Sequence, residues 1–160
     1  MRYIDQLILD CEQAKNAVPT QEQEFELNDL SEFELNNLSE LDKISNAIYV
    51  VEEIGGDIEI TFTDLSRYKS LKERRCPKLN EPSAVMYVGS STTGLRKRIE
   101  QHIGEGHKDT YALHLKHWFS GKCRIKIMQY AEPRNVLQII EDDISDSLKP
   151  AFGKKGANNK

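Results

Sequence analysis

Residues Met86 to His102 read MYVGSSTTGLRKRIEQH, and this stretch constrains the architecture more than any other. Its opening, within Ala84 to Val88, is an apolar run of β type. Thr92, Thr93 and Gly94 follow with capping hydroxyls and turn chemistry, and from about Leu95 to Ile103 the residues Leu95, Ile99 and Ile103 recur at helical spacing. A strand therefore leads directly into an amphipathic helix. Arg98 and His102 lie one turn apart beside the apolar stripe, towards the sheet margin, whereas Arg96, Lys97 and Glu100 fall on the solvated side.

Upstream, Ala47 to Ile54 (AIYVVEEI) is rich in β-branched and aromatic residues, Gly55 and Gly56 supply a turn, and Asp57 to Thr63 (DIEITFT) alternates apolar with polar. This predicts a β-hairpin. Residues 65–75 (LSRYKSLKERR) predict a short basic helix, and Pro77 and Pro82 bracket a loop. Downstream, Asp109 is placed to cap a helix through Phe119, residues 122–130 alternate as a strand, and residues 134–148 form a last helix stopped before Pro150. Ala112, Trp118 and Phe119 read as core. Strands and helices mix without βαβ regularity, so the class is α+β, a small antiparallel sheet flanked by helices.

The N-terminal 45 residues differ in kind. They hold 3 Lys/Arg against 11 Asp/Glu, whereas residues 46–160 hold 19 against 15, and residues 67–126 alone hold 14 against 5. The net charge of -4 thus hides an acidic arm ahead of a basic body, and a local basic field attracts phosphates whatever the total. In the arm, residues 3–18 place Ile4, Leu7, Ile8, Cys11 and Ala14 on one helical face, expected to dock on the rest and to stop near Pro19. A duplication follows, with EFELNDLS at Glu24 to Ser31 and EFELNNLS at Glu32 to Ser39. Two copies are too few for a solenoid. The segment reads as a capping element or linker, with a protein-docking or DNA-mimicking arm as the alternative. The expected organisation is a mainly helical acidic extension over 1–45, a domain over 46–156 with an insertion at about 55–83, and a tail over 157–160.

Cys11, Cys76 and Cys123 have scattered spacings that indicate reduced thiols, and His107, His114 and His117 with Cys123 match no standard zinc pattern. There is no secretory leader pattern and no apolar run of membrane-spanning length, so a cytoplasmic location is expected. In the last helix, Leu137, Ile144 and Leu148 define an apolar face, and Glu141 sits within it. A carboxylate there calls for a partner, a metal or a water-filled cleft, because an unpaired buried charge costs several kcal/mol.

Taken in order, Ala47-Ile48-Tyr49, Tyr87-Val88-Gly89 followed by Ser90, Leu95 to Arg98 continuing to His102, and Glu141 within Ile139-Ile140-Glu141 resemble the elements of the GIY-YIG nucleases. The resemblance covers residues 46 to about 156. Ala47 stands where the family has its first Gly, and the Asn that many members carry after the last helix has no counterpart before Asn158 or Asn159. Arg96 competes with Arg98 for the arginine position because the loop after Gly89 is one residue longer than the commonest pattern. The four-residue step to His102 and the place beside the stripe favour Arg98.

The resemblance implies a metal-dependent DNA endonuclease of restriction, phage or mobile-element type, with a catalytically degenerate nucleic-acid or protein-binding module as the alternative. Within it, Tyr49 is the general base, and a neutral His102 is placed to accept its proton. Arg98 offers a planar fork to phosphate, and Tyr87 binds phosphate or water. Glu141 holds Mg²⁺, for which Mn²⁺ can substitute. Gly89 admits backbone close to substrate beside Ser90, and Lys154 and Lys155 suit phosphate contacts. The basic residues Arg67, Lys69, Lys72, Arg74, Arg75 and Lys78 form either a solvated face or a surface that follows phosphates, the latter preferred. Sequence-specific cutting of both strands implies a homodimer or two successive nicks.

Overall fold

A computed structural model describes residues 1–28, 30 and 39–154 of the chain. In chain order these form α1 (Tyr3–Asn16), β1 (Gln21–Leu27), β2 (Ala47–Ile54), α2 (Ile58–Ser70), β3 (Val85–Ser91), α3 (Leu95–Glu100), a π-helical turn (Gln101–Glu105), a 3₁₀ turn (Leu115–His117), β4 (Lys122–Gln129) and α4 (Arg134–Leu148). The four strands make one antiparallel sheet in the order β1-β4-β2-β3, so the class is α+β and both β1 and β3 lie at edges.

Alternation along β2 divides the core in two. Ala47, Tyr49 and Val51 face a larger cluster with Leu95, Ile99, Ile103, Leu113, Ile125 and Phe152. Ile48 and Val50 face a smaller one with Val88, Met128, Val136, Leu137 and Ile140. Hence α3 covers one face of the sheet and α4 the other. A register shift between Val51 and Glu52 leaves Met86 as an extra residue in β3, and Met86 and Tyr87, neighbours in the chain, both enter the larger cluster. The edge of β3 is partly closed by the C-terminal segment, where the Ala151 and Phe152 amides donate to the Val85 and Met86 carbonyls at 2.8 and 3.1 Å. No helix among the described residues is long and apolar enough to cross a membrane.

Several sequence expectations are corrected. Residues 57–63 are not a second hairpin strand; α2 starts there, because the Asp57 side chain accepts from the Glu59 and Ile60 amides at 3.0 and 3.3 Å. Once helical, Thr61, Leu65 and Tyr68 share a buried face, and Ile60, which the alternation pointed inward, is exposed. The basic helix expected over 65–75 is the end of α2, which stops at Ser70 before Lys72 turns left-handed. No helix spans 109–119 beyond the 3₁₀ turn, since His114 is left-handed (φ 51°) and the Asp109 carboxylate faces Arg75 at 3.9 Å. Finally, α1 does dock, but by a face that keeps only Ala14 of the expected stripe. Asp10, buried, accepts from Gln6 and from Asn135 of α4 at 2.9 and 2.7 Å, and Ala14 and Ala17 pack beside it. Ile4, Leu7, Ile8 and Cys11 stay exposed. Small side chains allow close helix approach, and the Asp10–Asn135 bond fixes which side that is.

The acidic arm is not wholly helical either. Part of its first EFELNDLS copy lies in β1, where Phe25 opposes Ile125 and Glu26 pairs with Arg124 at 3.1 Å. The second copy falls almost entirely outside the described residues. Several cations of the 67–78 stretch are also committed within the fold. Lys69 donates to the Pro77 carbonyl at 2.9 Å, Arg74 to the Gly106 carbonyl at 3.0 Å, and Arg75 lies over the Tyr111 ring.

Because Asp57 supplies the only side-chain cap recorded for α2, Asp57→Ala should destabilise the fold by about 1 kcal/mol. A urea titration reads this as a lower midpoint at unchanged slope, and an unchanged midpoint would return residues 57–63 to a capless conformation.

Candidate active site

At the edge strand β3, the two faces of the sheet meet in a cleft of about 370 Å³. Tyr49, Tyr87 and Arg98 form one wall, Gly89, Ser90, Ser91, Thr92 and Thr93 the floor, and Leu137, Gln138, Glu141 and Arg134 of α4 the other wall. The five residues singled out in the sequence are therefore gathered in or immediately behind one cavity.

Tyr49 reaches it by leaning over Gly89, its direct partner across the β2–β3 ladder. A Cβ on Gly89 would lie 2.4 Å from the Tyr49 hydroxyl oxygen, so the space a side chain would fill belongs to the phenol. The expected role for Gly89, admitting substrate to bare backbone, is thus preceded by an internal one. Arg98 then ties the phenols together: its Nε donates to Tyr49 Oη and its Nη2 to Tyr87 Oη, both at 3.1 Å, and the two rings stack with centroids 6.2 Å apart. Its Nη1 donates to the Gln101 Oε1 at 3.1 Å and the Tyr111 carbonyl at 2.9 Å. All four acceptors are neutral. Arg96 points away, paired with Asp42 and Glu100 at 2.9 Å each, and this leaves Arg98 as the arginine of the cleft.

His102 lies behind Tyr49, completely buried, on the π-helical turn that prolongs α3. A wider turn of this kind commonly marks a functional position. It is kinked at Gly104 (φ 129°), where a Cβ would come within 2.9 Å of Lys116 Cβ. His102 Nδ1 accepts the Leu113 amide proton at 3.1 Å, and Nε2 is 3.0 Å from Tyr49 Oη. Since the amide can only donate, Nδ1 is unprotonated. Burial, then the Arg98 charge and His114, hold His102 well below its ordinary pKa, so the ring is neutral and its one proton sits on Nε2. His102 therefore donates to Tyr49. The expectation that it accepts the phenol proton is reversed in this arrangement, and the Leu113 amide is the reason.

Tyr49 Oη thus receives two donors, which leaves its own proton to point into the cleft. Burial raises its pKa well above that of a free phenol; Arg98 lowers it, and Tyr87 and Glu141 raise it further. Glu141 is buried, and desolvation pushes its pKa up to about 7 although Gln138, Ser90 and Arg98 favour the ionised form. Gln138 Nε2 donates both to Glu141 Oε2 and, at 3.0 Å, to Asp142 Oδ1. A single carboxylate in a polar, roomy cleft, with an amide and a hydroxyl beside it, fits a hard cation that keeps most of its water. No group of three or more His, Cys, Asp or Glu side chains that could cage a metal occurs among the described residues.

Ser90 lines the cleft as expected, but Lys154 does not: it borders a separate cavity with Lys78, Asn80 and Lys149. Lys155, Asn158 and Asn159 lie outside the described residues. Gln138 and Arg134 were missed, although their signal was legible. They precede Glu141 by three and seven positions, which puts all three on one face of a helix.

Two substitutions test this geometry. Gly89→Ala should cost about 1–3 kcal/mol by overpacking and dislodge the Tyr49 ring, seen as a changed tyrosine absorption titration. Glu141→Gln should stabilise the fold. The folded carboxyl, with its pKa near 7, holds its proton more tightly than the unfolded one, so wild type loses stability as pH rises from about 4.5 to 7. Above that window the variant gains up to about 3 kcal/mol, and below pH ~4 the two coincide. Thermal melts across pH check the sign, and a variant less stable at high pH would refute the buried proton. Compared with protein-family models, curated proteins and solved structures, the chain matches none.

Proposed function

We propose that the chain is a metal-dependent DNA endonuclease of the GIY-YIG type, with Tyr49, Tyr87, Arg98, His102 and Glu141 as its reacting site. The observation that carries this reading is Arg98, whose charge is hydrogen-bonded on all sides by neutral oxygens and cancelled by none of them, beside a buried carboxylate in one polar cleft. A held but uncancelled guanidinium attracts an anion by its charge, and of its five N–H donors one, on Nη2, is left over from these four bonds to reach a phosphate oxygen.

Hydrolysis of a phosphodiester requires removal of a proton from water, neutralisation of charge on phosphorus oxygens and stabilisation of the departing oxygen. Arg98 serves the second need. Tyr49 serves the first once its cleft-facing proton has gone to solvent, because the Arg98 and His102 donors then hold the phenolate, which takes the proton of the attacking water. Tyr87, fixed by Arg98, presents its hydroxyl to a phosphate oxygen. Glu141, with Gln138 and Ser90 beside it, would hold Mg²⁺, or Mn²⁺ in its place; when bound, such an ion supplies charge stabilisation at the departing oxygen.

The test is cleavage of supercoiled plasmid in Mg²⁺ or Mn²⁺. Wild type should cut, and Arg98→Ala, Tyr49→Phe and Glu141→Ala should each lose at least 100-fold in rate, about 3 kcal/mol. If wild type binds DNA without cutting several unmodified substrates, the chain is a non-catalytic binding module instead. The pH profile is a second check. With Tyr49 protonated at neutrality and Glu141 titrating near 7, the logarithm of the rate at limiting Mg²⁺ should climb with a slope of about two below that pH and about one above it. A flat profile from pH ~6 to ~9 would remove Tyr49 from the role of base.

A further inference from the structure

One wall of the cleft is unexplained by these five residues. Arg134, Gln138 and Glu141 occupy positions i, i+4 and i+7 of α4 and form a polar stripe along the cleft, while Val136, Leu137 and Ile140 of the same helix enter the core. Gln138 is spent on the Glu141 and Asp142 carboxyls. Arg134 is spent on nothing: its first turn holds no acidic residue, and its guanidinium takes part in no ion pair or hydrogen bond with the described residues. Thr92 and Thr93, whose hydroxyls suit an anion, line the same cavity. Seven residues of helix separate Arg134 from Glu141, about 10 Å along the axis. The α4 wall of the cleft is therefore longer than one phosphate group.

We propose that Arg134 anchors the phosphate next to the one held at Arg98, so that the cleft takes a polynucleotide strand through successive phosphates and not a lone nucleotide or a phosphomonoester. The inference rests on the nuclease reading for the identity of the anion. It adds a second cationic contact, the direction of the strand along α4, and a lower limit on substrate length. Arg134 is on this account a positioning residue, which grips the strand beside the reacting phosphate.

The experiment is fluorescence anisotropy of a labelled short DNA duplex in EDTA, over a series of KCl concentrations, with wild type, Arg134→Ala, Arg134→Lys and Lys122→Ala. Lys122 is an exposed cation at the start of β4, outside the cleft, and controls for loss of net charge. Arg134→Ala should bind about 5–10-fold more weakly, with the slope of log affinity against log salt reduced by about one. Arg134→Lys should keep the slope, and Lys122→Ala should match wild type. In cleavage assays Arg134→Ala should raise KM more than it lowers kcat. An unchanged slope for Arg134→Ala, an equal loss for Lys122→Ala, or displacement of the duplex by inorganic phosphate at matched charge concentration would overturn the anchor. The two readings fail separately. Cutting by wild type with an unchanged slope sinks only the anchor, whereas a reduced slope without cutting sinks only the nuclease and leaves a strand-binding cleft.

Discussion

A guanidinium withdrawn from water must place its donors or lose the free energy of their hydration. Arg98 places them on two phenols, an amide and a backbone carbonyl, and each acceptor had to be brought to it. Tyr49 arrives only because Gly89 has no side chain. Tyr87 arrives by lying next to Met86 at an irregular point of the ladder, and the Tyr111 carbonyl by the turn-rich passage from Gly106 to Phe119. The charge itself then acts at a distance. It helps keep His102 neutral, draws the Tyr49 phenol part of the way back from its raised pKa, and favours an ionised Glu141.

Much of this was readable in the sequence because the relevant signals are local. β-type runs marked β2 and β3, alternation marked β4, and a four-residue recurrence marked α3 and set Arg98 and His102 beside it. Glu141 stood out as a carboxylate on an apolar helical face. What failed was decided elsewhere. DIEITFT alternates as a strand does, and its outcome hangs on one capping carboxylate, Asp57, and on which face finds a core. β1 has no apolar alternation strong enough to announce it; its glutamates are tolerated because Arg124 and Lys126 lie across from them on β4. Nothing in the neighbourhood of His102 says that its Nδ1 will meet an amide eleven residues later, yet that contact sets the direction of the proton.

The cations of the 67–78 stretch carry a related lesson. Charge counted along a chain measures potential, not availability. Lys69 and Arg74 are consumed in tying α2 and its following loop to carbonyls, whereas Arg134, the one cation of a helix that also carries four acidic residues, lines the cleft.

The cleft lies on the seam between two separate hydrophobic clusters, one under α3 and one under α4, with a thin edge strand between them. Anything gripped from both walls at once is therefore a clasp across that seam. A ligand held by both walls would add its binding free energy to the packing of α3 and α4 on their shared sheet.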